Sequence, residues 1–560
     1  MTTTPDLLPA TESTTEFHTR GWWRKETFGD DLQRQARLQP NRLAVAARRI
    51  GQSRTDTLDY SELAETSERF AHALVGLGVN PGDVVAVQLQ NRWEMVPLIF
   101  ACIRVGAVIC PVAPVCPEDE LRHRLTLTEA NVLVTAAGLP TPSAATLASS
   151  LRRDIATLDH IVVIDAHSSS TDIIDFHEQF QKPTDESDSA DLDGRARSAD
   201  EPFVVLFTSG TTGLSKGVVH SQNSVHSAIS GYVDAFDADE SWIAAVSTPL
   251  VHYSGFAQGV LASVLVGGTV VFQDLRRNEL LLDLVEKYGA TVLYGPPATV
   301  NEVALSQLTR QRDTHSLRHV IVGSAPVLPS LVHRVQETLG ARVYSLWGLS
   351  ENGPVTMTRP EDPVGWAAQS NGRPIDAMQT RLISTGADGN ISQVGRLQVK
   401  GASLALGYFK RDKDFQKEID AAGWFDTGDL AQSDGRGGIR ILGRTRDAIV
   451  KDGEIAPLVE LEEAIGEHPK AVEAALVGVP TGKDANGLAI VAAVVPASTY
   501  GPNVDEIRTH LLEAGYPSAF VPDRVEVLSA LPKTLTGKVR KAALREQFSI
   551  IAKNPPESDR

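Results

Sequence analysis

The chain reads as an α/β protein. It has a large N-terminal domain of two doubly wound βαβ subdomains plus a small antiparallel barrel, followed by a small α+β C-terminal domain. Three observations predict this. From Asp59 onward amphipathic stretches alternate with short apolar runs, which is the signature of parallel βαβ units. A second series of such runs follows Gly217. Beyond Ala377 the apolar period drops to two between closely spaced glycines (Gly386, Gly389, Gly395, Gly401, Gly407), as in a small barrel.

In chain order, residues 1 to about 25 are polar and read as a mobile arm, and the first helical pattern starts near Phe28 with Leu32, Ala36 and Leu38. Tyr60 to Leu77 is amphipathic, Asp83 to Leu89 alternates as a strand, Trp93 to Val105 is helical and Ala107 to Pro111 is extended. Met95 to Cys116 is apolar enough to suggest a membrane span. Arg104 and the prolines Pro97, Pro111 and Pro114 favour a buried helix followed by a strand and turn. The polar stretch Gln181 to Glu201 cannot bury enough apolar surface to order itself and reads as a surface loop leading into an apolar strand, Phe203 to Phe207. Strands are then expected at Val246–Leu250, Gly268–Phe272, Ala290–Tyr294, His319–Val322 and Arg342–Ser345. Past a boundary at Arg446, Leu458–Glu467 and Val504–Glu513 read as helices and Ala474–Val479 and Ala489–Pro496 as strands. The expected division is an arm 1–25, a main domain 26–445, a C-terminal domain 446–548 and a polar tail 549–560.

Composition narrows the function. With 560 residues, 42% of them hydrophobic, the chain can bury several cores, and a net charge of −17 with pI near 5.3 argues against nucleic-acid or anionic-membrane partners. The three cysteines, Cys102, Cys110 and Cys116, lack ligand-spaced histidines apart from His123, which fits buried thiols in a reduced, cytoplasmic protein. The N-terminus has neither a basic region nor an apolar core of the secretory kind, so no secretory signal is expected.

The segment Thr208–Gly217, TSGTTGLSKG, carries the chemistry. Its glycines let backbone approach an oxyanion, its hydroxyls and N–H groups donate, and Lys216 adds charge, so a strand ending in this loop is suited to phosphates. It is not the P-loop of nucleoside triphosphatases. Ser215 replaces that motif's second glycine and Gly217 its magnesium-binding hydroxyl.

The loop instead resembles the signature [ST]-S-G-[ST]-T-G-x-P-K-G of the adenylate-forming superfamily, with Ser215 in place of proline. That superfamily comprises acyl-CoA synthetases, peptide-synthetase adenylation domains and luciferases. Further segments match in order. Pro249–Gly255 resembles P-x-x-H-x-x-G, Gly323-Ser324-Ala325-Pro326 the adenine turn, and Trp347-Gly348-Leu349-Ser350-Glu351 the Y-G-x-T-E motif. Phe425–Leu430 resembles Y-x-T-G-D, Gly443-Arg444 follows it, and Pro532–Lys538 resembles P-K-T-x-x-G-K.

The resemblance implies ATP and Mg2+ as cofactors and a mobile C-terminal domain turning about Arg446. Thr208, Ser209, Gly210, Thr211, Thr212, Gly213 and Lys216 would grip the β and γ phosphates. Gly323, Ser324, Ala325, Pro326 and Trp347 would hold adenine, and Asp429 and Arg444 the ribose. Ser350 would reach the α-phosphate, Glu351 would hold magnesium, His252 would border the acid, and Lys538 would stabilise the charge of the transition state. The implied reaction joins a small acid to AMP with release of pyrophosphate, then passes it to a thiol, CoA in the first place. In look the chain is most similar to short- or medium-chain and cyclic or aromatic acyl-CoA synthetases. Gly453 resembles the wall of the pantetheine tunnel, but Asp452-Gly453-Glu454-Ile455-Ala456-Pro457-Leu458 departs from the usual G-G-E-N-[VI]-x-P. The alternative is a biosynthetic adenylating enzyme with a carrier protein or an amine as acceptor, including activation of nitrite to diazotise an aryl amine.

Overall fold

The computed structural model describes residues 11–139, 144–166, 172–181, 192–208, 215–384, 394–451, 454–480, 488–533 and 539–553. Two mainly parallel sheets dominate. In the larger, the strand order is Arg373–Pro374, Gly353–Met357, Arg342–Leu349, His319–Val322, Val292–Gly295, Ile243–Val246, Thr269–Gln273, Leu43–Arg49, Arg54–Asp59. Its six inner strands pair in parallel and the outer ones antiparallel. In the second, the order is Gly407–Tyr408, Lys216–Ser221, Pro202–Thr208, Val108–Val112, Val84–Gln88, Val132–Ala136, His160–Ile164, Ile174–Asp175.

Local chemistry explains the element boundaries. Val84–Gln88 is buried along its whole length, as a central parallel strand covered on both faces requires. The helix Tyr60–Gly76 starts at a capping box in which Asp59 and Glu62 satisfy each other's backbone N–H groups, and Asn503 with Glu506 does the same for Val504–Glu513. The apolar stretch at Met95 resolves into an eleven-residue helix, Met95–Val105, and the strand Val108–Val112. Gly106 turns between them at φ +72°, and a Cβ there would stand 2.3 Å from the Arg195 carbonyl. No helix among the described residues is long and apolar enough to cross a membrane.

The glycine-rich segment forms a four-stranded antiparallel sheet, Met378–Ser384, Val394–Gly401, Phe425–Ser433, Ile439–Arg444. Its described pairings run in a line, so the closure expected of a barrel is not among them. The C-terminal part carries a three-stranded sheet, Ala471–Pro480, Leu488–Pro496, Arg524–Val527, with helices Leu458–Glu467, Val504–Glu513 and Lys541–Lys553. Arg440 of the antiparallel sheet pairs with Glu460 of this part at 2.5 Å.

One expectation needs correction. The arm expected to be mobile is helical over Thr11–Thr19 and packed as far as Arg24. Trp23 is 2% exposed and its indole N–H donates to the Ala402 carbonyl at 2.9 Å, while Asn223 bonds both the N–H and the C=O of Arg24. Burial of a large aromatic with its polar atom satisfied outweighs the polar composition around it.

Candidate active site

The two strands flanking the glycine-rich loop form an antiparallel pair, Pro202–Thr208 with Lys216–Ser221, in which Thr208 stands opposite Lys216. Ser209, Gly210, Thr211, Thr212 and Gly213 lie outside the described residues, as do Gly453 and Lys538. At the loop's exit the Ser215 hydroxyl donates to Glu120, and the Ser215 carbonyl accepts from His123 Nε2 at 3.2 Å. A proline, usual at this place, would forgo the first of these bonds. Burial pushes the Glu120 carboxyl up, but the bonds from Ser215 and Arg124 outweigh it and hold the group below its ordinary value.

Lys216 points its ammonium at the face of Tyr408, 4.4 Å from the ring centroid, and the Tyr408 hydroxyl donates to Glu351 Oε1 at 2.9 Å. Tyr408 is brought there by a short strand, Gly407–Tyr408, that pairs with the strand of Lys216. Burial and the neighbouring carboxylate push the phenol far up, so it stays a donor. A hydrogen bond to a charged acceptor is worth about 1.5–3 kcal/mol, enough to fix the orientation of Glu351. The backbone next to it is pinned as well, since Ala405 N–H donates to the Glu351 carbonyl at 2.8 Å and His220 Nε2 to the Ser350 carbonyl at 2.7 Å.

No group of three or more His, Cys, Asp or Glu side chains among the described residues is arranged to hold a metal ion. Glu351, with one oxygen committed to Tyr408, fits magnesium in its usual mode, a single carboxylate completed by nucleotide phosphate oxygens.

His220 is fully buried, and burial pushes its imidazole down to about 4. An unfolded chain would take the proton near pH 6.5. Between these values the unfolded state binds more protons, so this contribution is complete above about pH 6.5 and is lost as the pH falls toward 4. The shift corresponds to on the order of 3 kcal/mol. Urea midpoints are therefore expected to drop more between about pH 7 and pH 4.5 in the wild type than in His220→Gln; equal drops would contradict the burial argument.

In a second group, Trp347 is 8% exposed and its Nε1–H donates to Asp429 Oδ2 at 3.2 Å, while Arg444 Nε meets Asp429 Oδ1 at 3.0 Å. Asp429 and Arg444 face each other across the antiparallel ladder, and Arg444 also donates to the Thr427 carbonyl at 2.9 Å. Trp347, Asp429 and Arg444 thus form one bonded unit. Ahead of it, Gly323 is buried and Ser324, Ala325 and Pro326 are exposed. Ser324 takes φ +73°, a left-handed conformation that costs a non-glycine residue about 1–3 kcal/mol.

The remaining segment follows the strand Ile243–Val246. His252 is partly buried, its Nδ1 lies 3.0 Å from Ser254 Oγ, and burial lowers its basicity, which keeps the imidazole neutral. From Ser254 to Leu261 the chain winds as a π-helix, rare in proteins and frequent at functional sites. Gly255 is packed so tightly that a Cβ would stand 2.3 Å from the Pro249 carbonyl. Tyr294 donates to Gln258 Oε1 at 3.2 Å, and the Tyr253 ring lies 5.4 Å from that of His220. His252, Tyr294, Gly323 and Trp347 all sit at or beyond the carboxyl ends of parallel strands, where ligands bind in open α/β sheets.

The structure thus joins Lys216 to Glu351, and Trp347 to Asp429 and Arg444. Sequence reasoning missed Tyr408, His220 and Gln258. Each is a polar residue within or beside an apolar run, with no local signal that its partner lies far along the chain.

A family model described as AMP-binding enzyme matches residues 32–409, and one described as AMP-binding enzyme C-terminal domain matches residues 460–538. The chain is 26% identical to a medium-chain fatty-acid–CoA ligase of Escherichia coli, over 95% of this chain and 92% of that protein. It is 29% identical to a salicyl-AMP ligase / salicyl-S-ArCP synthetase of Mycobacterium tuberculosis, over 95% and 93%. The crystal structure of ATP-bound MatB from Rhodopseudomonas palustris superposes with a TM-score of 0.80 at 25% identity, covering 94% of this chain and 99% of that one.

Proposed function

The chain belongs to the AMP-binding enzymes, and on that premise we propose that it activates a small carboxylic acid with ATP and passes the acyl group to the thiol of CoA. One observation carries the reading. Lys216 and Glu351 meet at Tyr408, and Asp429 with Arg444 meets Trp347, four residues before Glu351 in the chain. A triphosphate, its metal and a ribose need just these groups.

In this proposal the adenine stacks on Trp347 against the turn Gly323–Pro326, and the ribose hydroxyls bond Asp429 beside Arg444. The loop from Thr208 to Gly213 and Lys216 hold the β and γ phosphates, and the Ser350 hydroxyl reaches the α-phosphate. Magnesium, when bound, supplies charge neutralisation for the departing pyrophosphate. A carboxylate oxygen of the acid forms a bond to the α-phosphorus as the bond from phosphorus to the β-phosphate oxygen breaks. Lys538 lies between the two anions as they meet. Neutral His252 borders the acyl group. The CoA sulfur then bonds to the acyl carbon as the bond from that carbon to the bridging oxygen breaks, the thiol proton passes to solvent, and AMP leaves with the bridging oxygen. Residues 446–548 would turn about Arg446 between the steps, bringing Gly453 to the pantetheine passage, with residues 26–445 as the body and 1–25 and 549–560 as arm and tail. The buried free thiols Cys102, Cys110 and Cys116 are in keeping with a reducing, cytoplasmic setting.

A second acceptor class, a carrier-protein thiol or an amine, including an aryl amine met by activated nitrite, is favoured by one observation. Asp452–Leu458 departs from the usual CoA-ligase segment, and a relative of similar identity is named for transfer to a carrier protein. ATP-dependent hydroxamate formation over an acid panel, repeated with CoA and mass detection, tests the proposal. Formation of an acyl-CoA with CoA-dependent AMP release is expected. Hydroxamate without any CoA thioester would transfer the acceptor to the second class.

A further inference from the structure

Gln258 is 4% exposed, and its Nε2 has no hydrogen-bond partner among the described residues. The Tyr294 hydroxyl donates to Gln258 Oε1 at 3.2 Å, and burial, which pushes this phenol up to about 12, keeps the donated proton in place at neutral pH. The amide nitrogen, a donor, is the unpaired end. The π-helix that carries Gln258 begins at Ser254, bonded to His252, and a Cβ on Gly323 would lie 3.5 Å from the Tyr294 hydroxyl. Tyr294, near the carboxyl end of its strand, thus links the amide to the Gly323 turn, and the π-helix links it to the His252 segment. Just ahead of the π-helix, two more buried hydroxyls have no partner among the described residues, Thr248 at 7% exposure and Tyr253 at 4%.

Unpaired buried donors beside an apolar ligand would stay unpaired on binding, and each would count against that ligand. A site built to bond a polar group rejects the analogue lacking it far more strongly than an apolar pocket rejects one methylene. Resting on the adenylating reading above, we infer that the acid carries a hydrogen-bond-accepting substituent away from its carboxylate, a hydroxyl, carbonyl, ether or ring heteroatom, which accepts from Gln258 Nε2. Plain alkanoic, alicyclic and unsubstituted aromatic acids are then the poorer substrates.

The test is acid-dependent pyrophosphate exchange with matched pairs: hexanoate with 5-oxohexanoate, cyclohexanecarboxylate with tetrahydropyran-4-carboxylate, and benzoate with hydroxybenzoates. In the wild type the oxygen-bearing member of at least one pair is expected to lead by about tenfold or more in kcat/KM, the worth of one such bond. Gln258→Leu should erase that lead, raising the apolar member and lowering the polar one. Equal or apolar-favouring ratios throughout the wild-type panel overturn the inference whether or not the variant folds, and so does a lead that survives in Gln258→Leu. Absence of exchange with every acid tested would instead sink the adenylating reading and this inference with it, so the two failures are distinguishable.

Discussion

Lys538→Ala is expected to slow acid-dependent pyrophosphate exchange by about 10²–10³-fold or more, while transfer of a preformed acyl-adenylate to its thiol acceptor stays within roughly twofold of wild type. Two anions must approach in the first step, and only a cation between them lowers that barrier; in the second step the attacked carbon is neutral and no such cation is needed. The described residues on either side of Lys538 are anchored: Lys533 and Val539 pair, Arg540 N–H donates to the Pro532 carbonyl at 2.7 Å, and Lys533 meets Glu473 at 2.7 Å. Lys541, by contrast, is held by Glu462 at 2.5 Å, so Lys541→Ala is expected to leave exchange nearly unchanged. Equal losses in both variants, or loss of both partial reactions in Lys538→Ala, would contradict the assignment.

Glu351→Gln is the second large effect. The amide keeps an oxygen for the Tyr408 hydroxyl but loses the charge that would hold the metal beside the triphosphate. The expected result is a fall of about 10²–10³ in kcat, roughly 3–4 kcal/mol, together with a rate that saturates only at higher magnesium concentration. Titration of the exchange rate with magnesium checks this. An unchanged magnesium dependence would make Glu351 a structural residue only.

Much of the architecture was legible because it is local. His319–Val322 is an apolar run at a length typical of buried strands, Asp83 to Leu89 alternates as a strand although Val84–Gln88 is buried throughout, and the helix Val504–Glu513 adds a capping box to its period where Leu458–Glu467 shows the period alone. The segments holding Lys216, Glu351, Asp429 and Arg444 were legible for a different reason, since their residue types and order match a known pattern. What stayed hidden is non-local. Tyr408 reads as one apolar residue after a glycine, and only the pairing of its strand with Lys216–Ser221 sets its hydroxyl on Glu351. Trp22 and Trp23 lie in a polar arm whose composition suggested disorder, while their partners, Ala377, Ala402 and Ser227, lie hundreds of residues away. The π-helix was equally out of reach, because Ser254–Leu261 has the composition of an ordinary buried helix.

The most direct test of the central claim, that an oxygen of the acid attacks the α-phosphorus of ATP, follows that oxygen. The enzyme would be supplied with ATP, magnesium, CoA and an acid labelled with oxygen-18 in its carboxylate, and the nucleotide product analysed by mass. The account predicts AMP carrying one labelled oxygen per turnover and unlabelled pyrophosphate. Label in pyrophosphate or phosphate, or turnover that yields unlabelled AMP, would contradict it.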